Sequence, residues 1–230
     1  VFKYLDFAVE NVNSLFGASL TLPGIVLPIG ISFYTFQGMS YIIDVYRDRT
    51  MGTRNFAKLI LYISFFPQLI AGPIIKYHDV AAMIDDRKCT PEKTASGLRR
   101  FIIGLSKKLL LANTAGAVAD QDFALNADSM DIRIAWLGAV CYTLQIYFDF
   151  SGYSDMAIGM GRIFGFHFLE NFNYPYVSTT IQEFWRRWHI SLSSWFRDYI
   201  YIPLGGSYCS KARTVFNKFV VFFTTGLWHG

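Results

Sequence analysis

Residues 15–43 read LFGASLTLPGIVLPIGISFYTFQGMSYII, a run without a single Asp, Glu, Lys or Arg. A helix that crosses a hydrocarbon core of about 30 Å needs roughly 20 such apolar residues. Pro23, Gly24, Pro28 and Gly30 interrupt the run, so the crossing proper is expected at residues 28–45, with Pro28 in a helical first turn. Asp44, Arg47, Asp48 and Arg49 close it, and Arg54 and Lys58 form a basic border that the positive-inside tendency assigns to the cytoplasm. Residues 59–75 and 134–148 are equally bare of charge. The competing reading is a large buried core. Tyr41, Tyr46, Trp136 and Tyr147 at the run edges favour the bilayer, because such rings collect at its interfaces.

Composition agrees. Of 230 residues, 53% are hydrophobic and 17% charged, with a mean hydropathy of +0.29, whereas soluble domains carry about 25% charged residues. The net charge of +4 is small and the basic residues carry no reading motif, so nucleic acid is excluded as a partner and the cations read as topology markers. Cys89, Cys141 and Cys209 lie far apart and indicate neither zinc nor a disulfide framework. The chain starts at Val1 and stops at Gly230 after a Trp-His pair, which reads as one membrane domain, residues 1–230, from the middle of a longer protein with spans on both sides.

Outward from the opening run, Pro67, Gly72 and Pro73 break residues 56–75 into a bent or re-entrant segment, tolerable only if protein satisfies its freed carbonyls. Residues 76–100 read as a polar linker, with a helix starting at Thr90-Pro91-Glu92. Residues 101–119 continue it, carrying Lys107 and Lys108 on one side. Asp120, Asp122, Asp128 and Asp131 then mark the outer side, residues 134–148 return the chain, and residues 153–168 offer Gly161 and Gly165 as a small-xxx-small packing face.

Residues 182–206, QEFWRRWHISLSSWFRDYIYIPLGG, set a histidine among tryptophans and arginines. Thr180 and Glu183 form a capping box, Glu183 can pair with Arg187, and Pro203 should end the helix. Steps of three and four gather Trp185, Trp188, His189, Leu192, Trp195, Phe196 and Tyr199 on one face, so a single amphipathic helix at the membrane surface is expected. A basic turn with Lys211, Arg213 and Lys218 precedes a last apolar segment that ends at His229.

Of four histidines, His78 and His167 read as structural. His189 in W-H-x-S and His229 in L-W-H-G each follow a tryptophan in an apolar context. An ionisable group at membrane depth is expensive, which makes the pair a functional hypothesis. Imidazole can take a proton from an acceptor hydroxyl and return one to a leaving thiol, which is what acyl transfer needs. No G-x-S-x-G, H-E-x-x-H or Walker loop supports hydrolase, zincin or P-loop chemistry, and a metal site from His189, His229 and Asp198 has no spacing behind it. Asp149 and Asp155 either bind substrate or brace adjoining helices.

The series LPIGISFYTFQGMSYIIDVYR (27–47), FFPQLIAGPI (65–74), YFDFSGYSDMAIGMGRIFGF (147–166), NFNYPY (171–176), FWRRWHISLSSWFRDYIYIPLGG (184–206) and TTGLWHG (224–230) resembles the membrane-bound O-acyltransferase family. Its nearest branch acetylates alginate and other exopolysaccharides, and the next moves D-alanine onto teichoic acid. The resemblance implies an all-α polytopic fold: a ring of transmembrane and re-entrant helices around a central tunnel, with amphipathic helices on the cytoplasmic side, in the bacterial inner membrane. It implies a cytoplasmic acyl thioester donor such as acetyl-CoA, no bound cofactor, a polysaccharide acceptor and an extracytoplasmic partner protein. It places the family's central histidine on His229, as general base, and a second on His189, which orients or polarises the thioester. Trp185 and Trp188 are expected to line the donor entrance, with Arg187 and Asp198 holding the aromatic helix. A non-catalytic transporter subunit is the alternative from another class, since it too would show broken helices and intramembrane polar groups. A soluble helical enzyme ranks behind both.

Overall fold

The structure, a computed structural model, describes residues 4–22, 24–26, 28–69, 72–126 and 130–229, so Pro23, Leu27, Asp128 and Gly230 lie outside the described residues. Every regular element among the described residues is helical, in keeping with the all-α expectation. Helix α1 (Leu5–Phe16) is followed by α2 (Ile31–Arg47), which takes up most of the expected crossing. Gly30 opens α2 at φ 76°, and a Cβ there would stand 2.4 Å from the Leu69 carbonyl oxygen, so glycine is required twice over.

The expected break in residues 56–75 is present. Helix α3 (Phe56–Ser64) ends at an extended Phe65 and the short α4 (Phe66–Leu69) follows. Its loose carbonyls find partners: Gln68 Nε2 donates to the Tyr62 carbonyl (2.7 Å), and the Tyr62 hydroxyl donates to that of Ile75 (2.7 Å). The polar linker is a helix in part, because Tyr77 and Val80 bury one face of α5 (Tyr77–Asp85) against Tyr62 and Ile158.

Thr90 caps α6 (Pro91–Ser106) by accepting from the Lys93 amide (3.3 Å). A π-turn over Lys107–Ala112 joins α6 to α7 (Asn113–Phe123) without a break. Pro91–Phe123 is, among the described residues, the one rod long and apolar enough to cross a membrane by itself. Asp131 then caps α8 (Ile132–Ile163) through the amides of Arg133 and Ile134. Two helices were expected here; with no proline between Ile132 and Ile163 nothing stops the first, and α8 runs on for 32 residues, about 48 Å at 1.5 Å per residue.

The seam between α6 and α8 rests on glycines other than the expected pair. A Cβ on Gly97 would lie 2.5 Å from the Gly159 carbonyl oxygen, and one on Gly104 would lie 2.5 Å from that of Gly152. The two pairs are seven residues apart on both antiparallel helices, so backbone meets backbone over two turns. Gly161 instead makes room for the Phe168 ring, and Gly165 ends the helix at φ 82°. Charges lock the seam: Asp155 receives Arg100 (2.6 Å) and Lys107 (2.6 Å), and Lys108 reaches Asp149.

The chain then returns through a 3-10 turn at Pro175–Val177 to the short helices α9 (Ile181–Arg187) and α10 (Ile190–Phe196), a π-turn over Arg197–Tyr201, and α11 (Lys211–His229).

Candidate active site

The single helix expected from Thr180 to Pro203 does not form. Its start is as read: the Thr180 hydroxyl accepts from the Glu183 amide (3.1 Å), although the Glu183 carboxylate turns back to Thr179, and Glu183 pairs with Arg187 at 2.8 Å. At Trp188 the backbone becomes extended, and His189 adopts φ 44°, ψ 55°, a left-handed conformation that costs a residue other than glycine about 1–3 kcal/mol. Residues 171–173 replace the helical bonds lost there. The Ile190 amide donates to the Asn171 carbonyl (2.9 Å), the Asn173 amide donates to that of Arg187 (2.9 Å), and Arg187 Nη1 donates to the Asn173 carbonyl (3.2 Å). Hydrophobic periodicity cannot register such a break, because both halves keep the same spacing on either side of it.

The break separates the aromatic face. Trp195, buried, donates to the Phe36 carbonyl (3.1 Å) and packs on the Phe36 ring at 4.3 Å. Trp188 joins Phe172, Phe184, Tyr147 and Tyr176 instead, and the half-exposed Trp185 leans on Phe184 and Phe222.

His189 sits where these groups meet and is 5% exposed. Phe150 presents itself edge-on at 4.6 Å, Phe172 lies stacked at 6.4 Å, and the ring Nδ1 is 3.2 Å from Asn171 Oδ1. Seven-residue helices are about 10 Å long and cannot span a bilayer, so this junction belongs to a packed, non-spanning part of the chain. Burial pushes the imidazole pKa down to about 3, with the nearby charge of His229 acting in the same direction. His189 is therefore neutral throughout the physiological range.

His229 ends α11, exposed, with its ring edge-to-face on Trp228 at 4.4 Å. Trp228 packs on Phe33 and Phe36, and Phe36 packs on Trp195, so an aromatic chain ties α11 to α2 and α10. His229 Nδ1 lies 2.9 Å from the Thr225 carbonyl oxygen. A carbonyl can only accept, so Nδ1 carries a proton, and in the neutral ring Nε2 keeps its lone pair.

The remaining residues singled out in the sequence lie apart from this pair. Asp198 accepts from Lys76 (2.5 Å) and Arg197 (2.7 Å); burial alone would raise its pKa, but those two cations hold the carboxyl below the usual carboxylate range. Asp149 and Asp155 brace α8 against the α6–α7 rod. Asn171 was not recognised as part of the site. It is fully buried, and its one sequence signal is its place in the N-F-N-Y-P-Y motif. It also lines a cavity of about 580 Å³ with Arg100, Lys107, Ser151, Ser154 and Asp155. Among the described residues no three His, Cys, Asp or Glu side chains gather as metal ligands would.

The profile of the membrane-bound O-acyltransferase family matches residues 47–230. A probable alginate O-acetylase of Pseudomonas aeruginosa is 52% identical over 234 residues, covering 100% of this chain and 44% of its own length. A peptidoglycan O-acetyltransferase of Helicobacter pylori is 37% identical, over 100% of this chain and 48% of the relative. A teichoic acid D-alanyltransferase of Bacillus subtilis is 31% identical, over 88% of this chain and 53% of the relative. The chain thus spans about half the length of the curated relatives it matches.

Proposed function

Because this chain belongs to the membrane-bound O-acyltransferase family, we propose that it forms the reactive part of a membrane-embedded enzyme that acetylates an exported polysaccharide such as alginate. The acetyl group comes from a cytoplasmic thioester, acetyl-CoA or another acyl carrier. A multi-pass ring of helices in the bacterial inner membrane surrounds the tunnel it crosses, and an extracytoplasmic partner protein completes delivery. Identity of 52% to the probable acetylase against 31% to the D-alanyltransferase supports acetyl over D-alanyl as the group moved.

The observation that carries this reading is the bare Nε2 of an exposed His229, together with a second histidine, His189, kept neutral by burial. Nε2 takes the proton of the acceptor hydroxyl as its oxygen attacks the thioester carbonyl. The C–S bond breaks, and the imidazolium returns the proton to the departing thiolate. General base catalysis of this kind is worth roughly 10²–10⁴ in rate. His189, kept neutral by burial, orients the donor. Trp185 and Trp188 line the donor side. Arg187 holds the loop at 171–173, and Asp198 anchors the far end of the aromatic segment on Lys76.

The test is incubation of the full-length protein with radiolabelled acetyl-CoA and an acceptor glycan, with and without its partner. Label on glycan or partner that disappears in His229→Ala supports the proposal. Movement of substrate across the membrane without thioester consumption would make the chain a transporter subunit and overturn it.

A further inference from the structure

We infer that Asn171 is a positioning residue that locks His189 in its Nδ1–H tautomer, so that Nε2 faces the reaction as a hydrogen-bond acceptor. One group in the cluster has an unambiguous role. The Ser191 backbone N–H can only donate, and it lies 3.2 Å from Asn171 Oδ1; the Ser191 hydroxyl stands 2.9 Å from the same atom. Turning the amide over would set its NH₂ against that N–H, donor against donor, so the oxygen must face Ser191. The Asn171 nitrogen is then free for the other side, where it donates to Ser154 Oγ at 3.1 Å. With the amide oriented, the histidine follows. An amide oxygen has no proton to give, so the contact of 3.2 Å to His189 Nδ1 requires the ring nitrogen to donate. A swapped ring would place a C–H at Asn171 and forfeit that bond, while Phe150 edge-on and Phe172 stacked hold the imidazole plane.

The lock is anchored beyond the loop that carries it. Ser154 lies on α8 next to Asp155, which Arg100 and Lys107 fasten to the α6–α7 rod, so the tautomer of His189 is referred to the glycine-lined, ion-paired seam between α6 and α8. The consequence rests on the acyl-transfer reading and divides the two roles considered for His189. Polarising a thioester carbonyl needs an N–H at Nε2, which this tautomer lacks. Orienting the donor by accepting from one of its N–H groups, or from the thiol as it leaves, needs the lone pair that is present.

Histidine-selective ¹⁵N labelling of the full-length protein, with His189→Gln assigning the resonance, reads the tautomer directly. A pyrrole-type signal at Nδ1 and a pyridine-type signal at Nε2 are expected. Asn171→Leu should convert this to exchange between tautomers, and Asn171→Asp, which keeps an acceptor, should preserve it. An Nε2–H signal overturns the inference whether or not any acyl transfer is measured. Should Asn171→Leu fail to fold, the wild-type and Asn171→Asp spectra still decide. Where transfer is measured, Asn171→Leu should cost up to about 100-fold, as misplacement of a site group does, and almost nothing more in a His189→Gln background. Losses that multiply in the double variant would show that Asn171 acts independently of His189.

Discussion

His189 and His229 each follow a tryptophan in an apolar stretch, yet the fold treats them in opposite ways. His189 is buried, strained at φ 44° and gripped by residues from another segment. His229 is exposed at a helix end and held by the carbonyl of its own preceding turn and the ring of its neighbour Trp228. A group that must meet a bulky acceptor hydroxyl needs access, and one that must hold a fixed hydrogen bond needs enclosure. On the acyl-transfer proposal, the first need falls to His229 and the second to His189.

The largest effect that can break this comparison is on rate. His229→Ala should lower acetyl transfer by roughly 10²–10⁴ while leaving the melting temperature of the full-length protein unchanged, since an exposed side chain with one local bond is removed. His189→Ala should lower both, because it also empties a packed aromatic site. Equal thermal losses in the two variants would mean that they are not divided as described. Next in size is the backbone beneath each histidine. A Cβ on Gly104 would meet the Gly152 carbonyl at 2.5 Å and the Met156 amide nitrogen at 2.8 Å, atoms that cannot yield, whereas one on Gly226, three residues before His229, would meet nothing within 4 Å. Gly104→Val should destabilise by about 1–3 kcal/mol or more and disturb His189 through Ser154, and Gly226→Ala should be tolerated. Differential scanning fluorimetry in detergent separates the two.

Much of the scaffold was legible in the sequence because local chemistry decides it. Thr90-Pro91 starts a helix, Pro67 breaks one, and a basic then acidic alternation frames the α6–α7 rod. What stayed hidden depends on long-range contacts. Gly97 and Gly104 have value only because Gly159 and Gly152 come to lie opposite them, sixty-two and forty-eight residues later (159 − 97 and 152 − 104). The helix break at His189 has no proline or glycine to announce it, since its cause is Asn171 docking from outside the helix. His189 and His229 were visible as a pair by their tryptophans; the tautomer of each required a hydrogen-bond partner that only the fold supplies.

A smaller effect appears against pH. An unfolded histidine titrates near about 6.5, while burial pushes His189 down to about 3 in the folded chain. Below pH 6.5 the unfolded state therefore binds a proton that the native state refuses. Stability is full above the unfolded pKa and is lost as pH falls from there toward 3. His189→Gln should remove that share of the slope. The acid limb of activity should remain in place in this variant, because His189 carries no charge near neutral pH to lose. A limb that moved would assign the working titration to the buried histidine.

The smallest expected effect isolates the peptide that leads into the break. Thr180 holds the first turn of α9 by one bond to the Glu183 amide, and Glu183 in turn holds Arg187, whose carbonyl and guanidinium both bind Asn173. Thr180→Ala should cost about 1 kcal/mol, the usual worth of an N-cap. The loss enters a chain of contacts that ends two residues before His189. Donor-dependent steps should weaken slightly while the acid limb keeps its position. If the limb shifted with the cap, His229 would be coupled to α9, and the independence of the two histidine environments would fail at its most sensitive point.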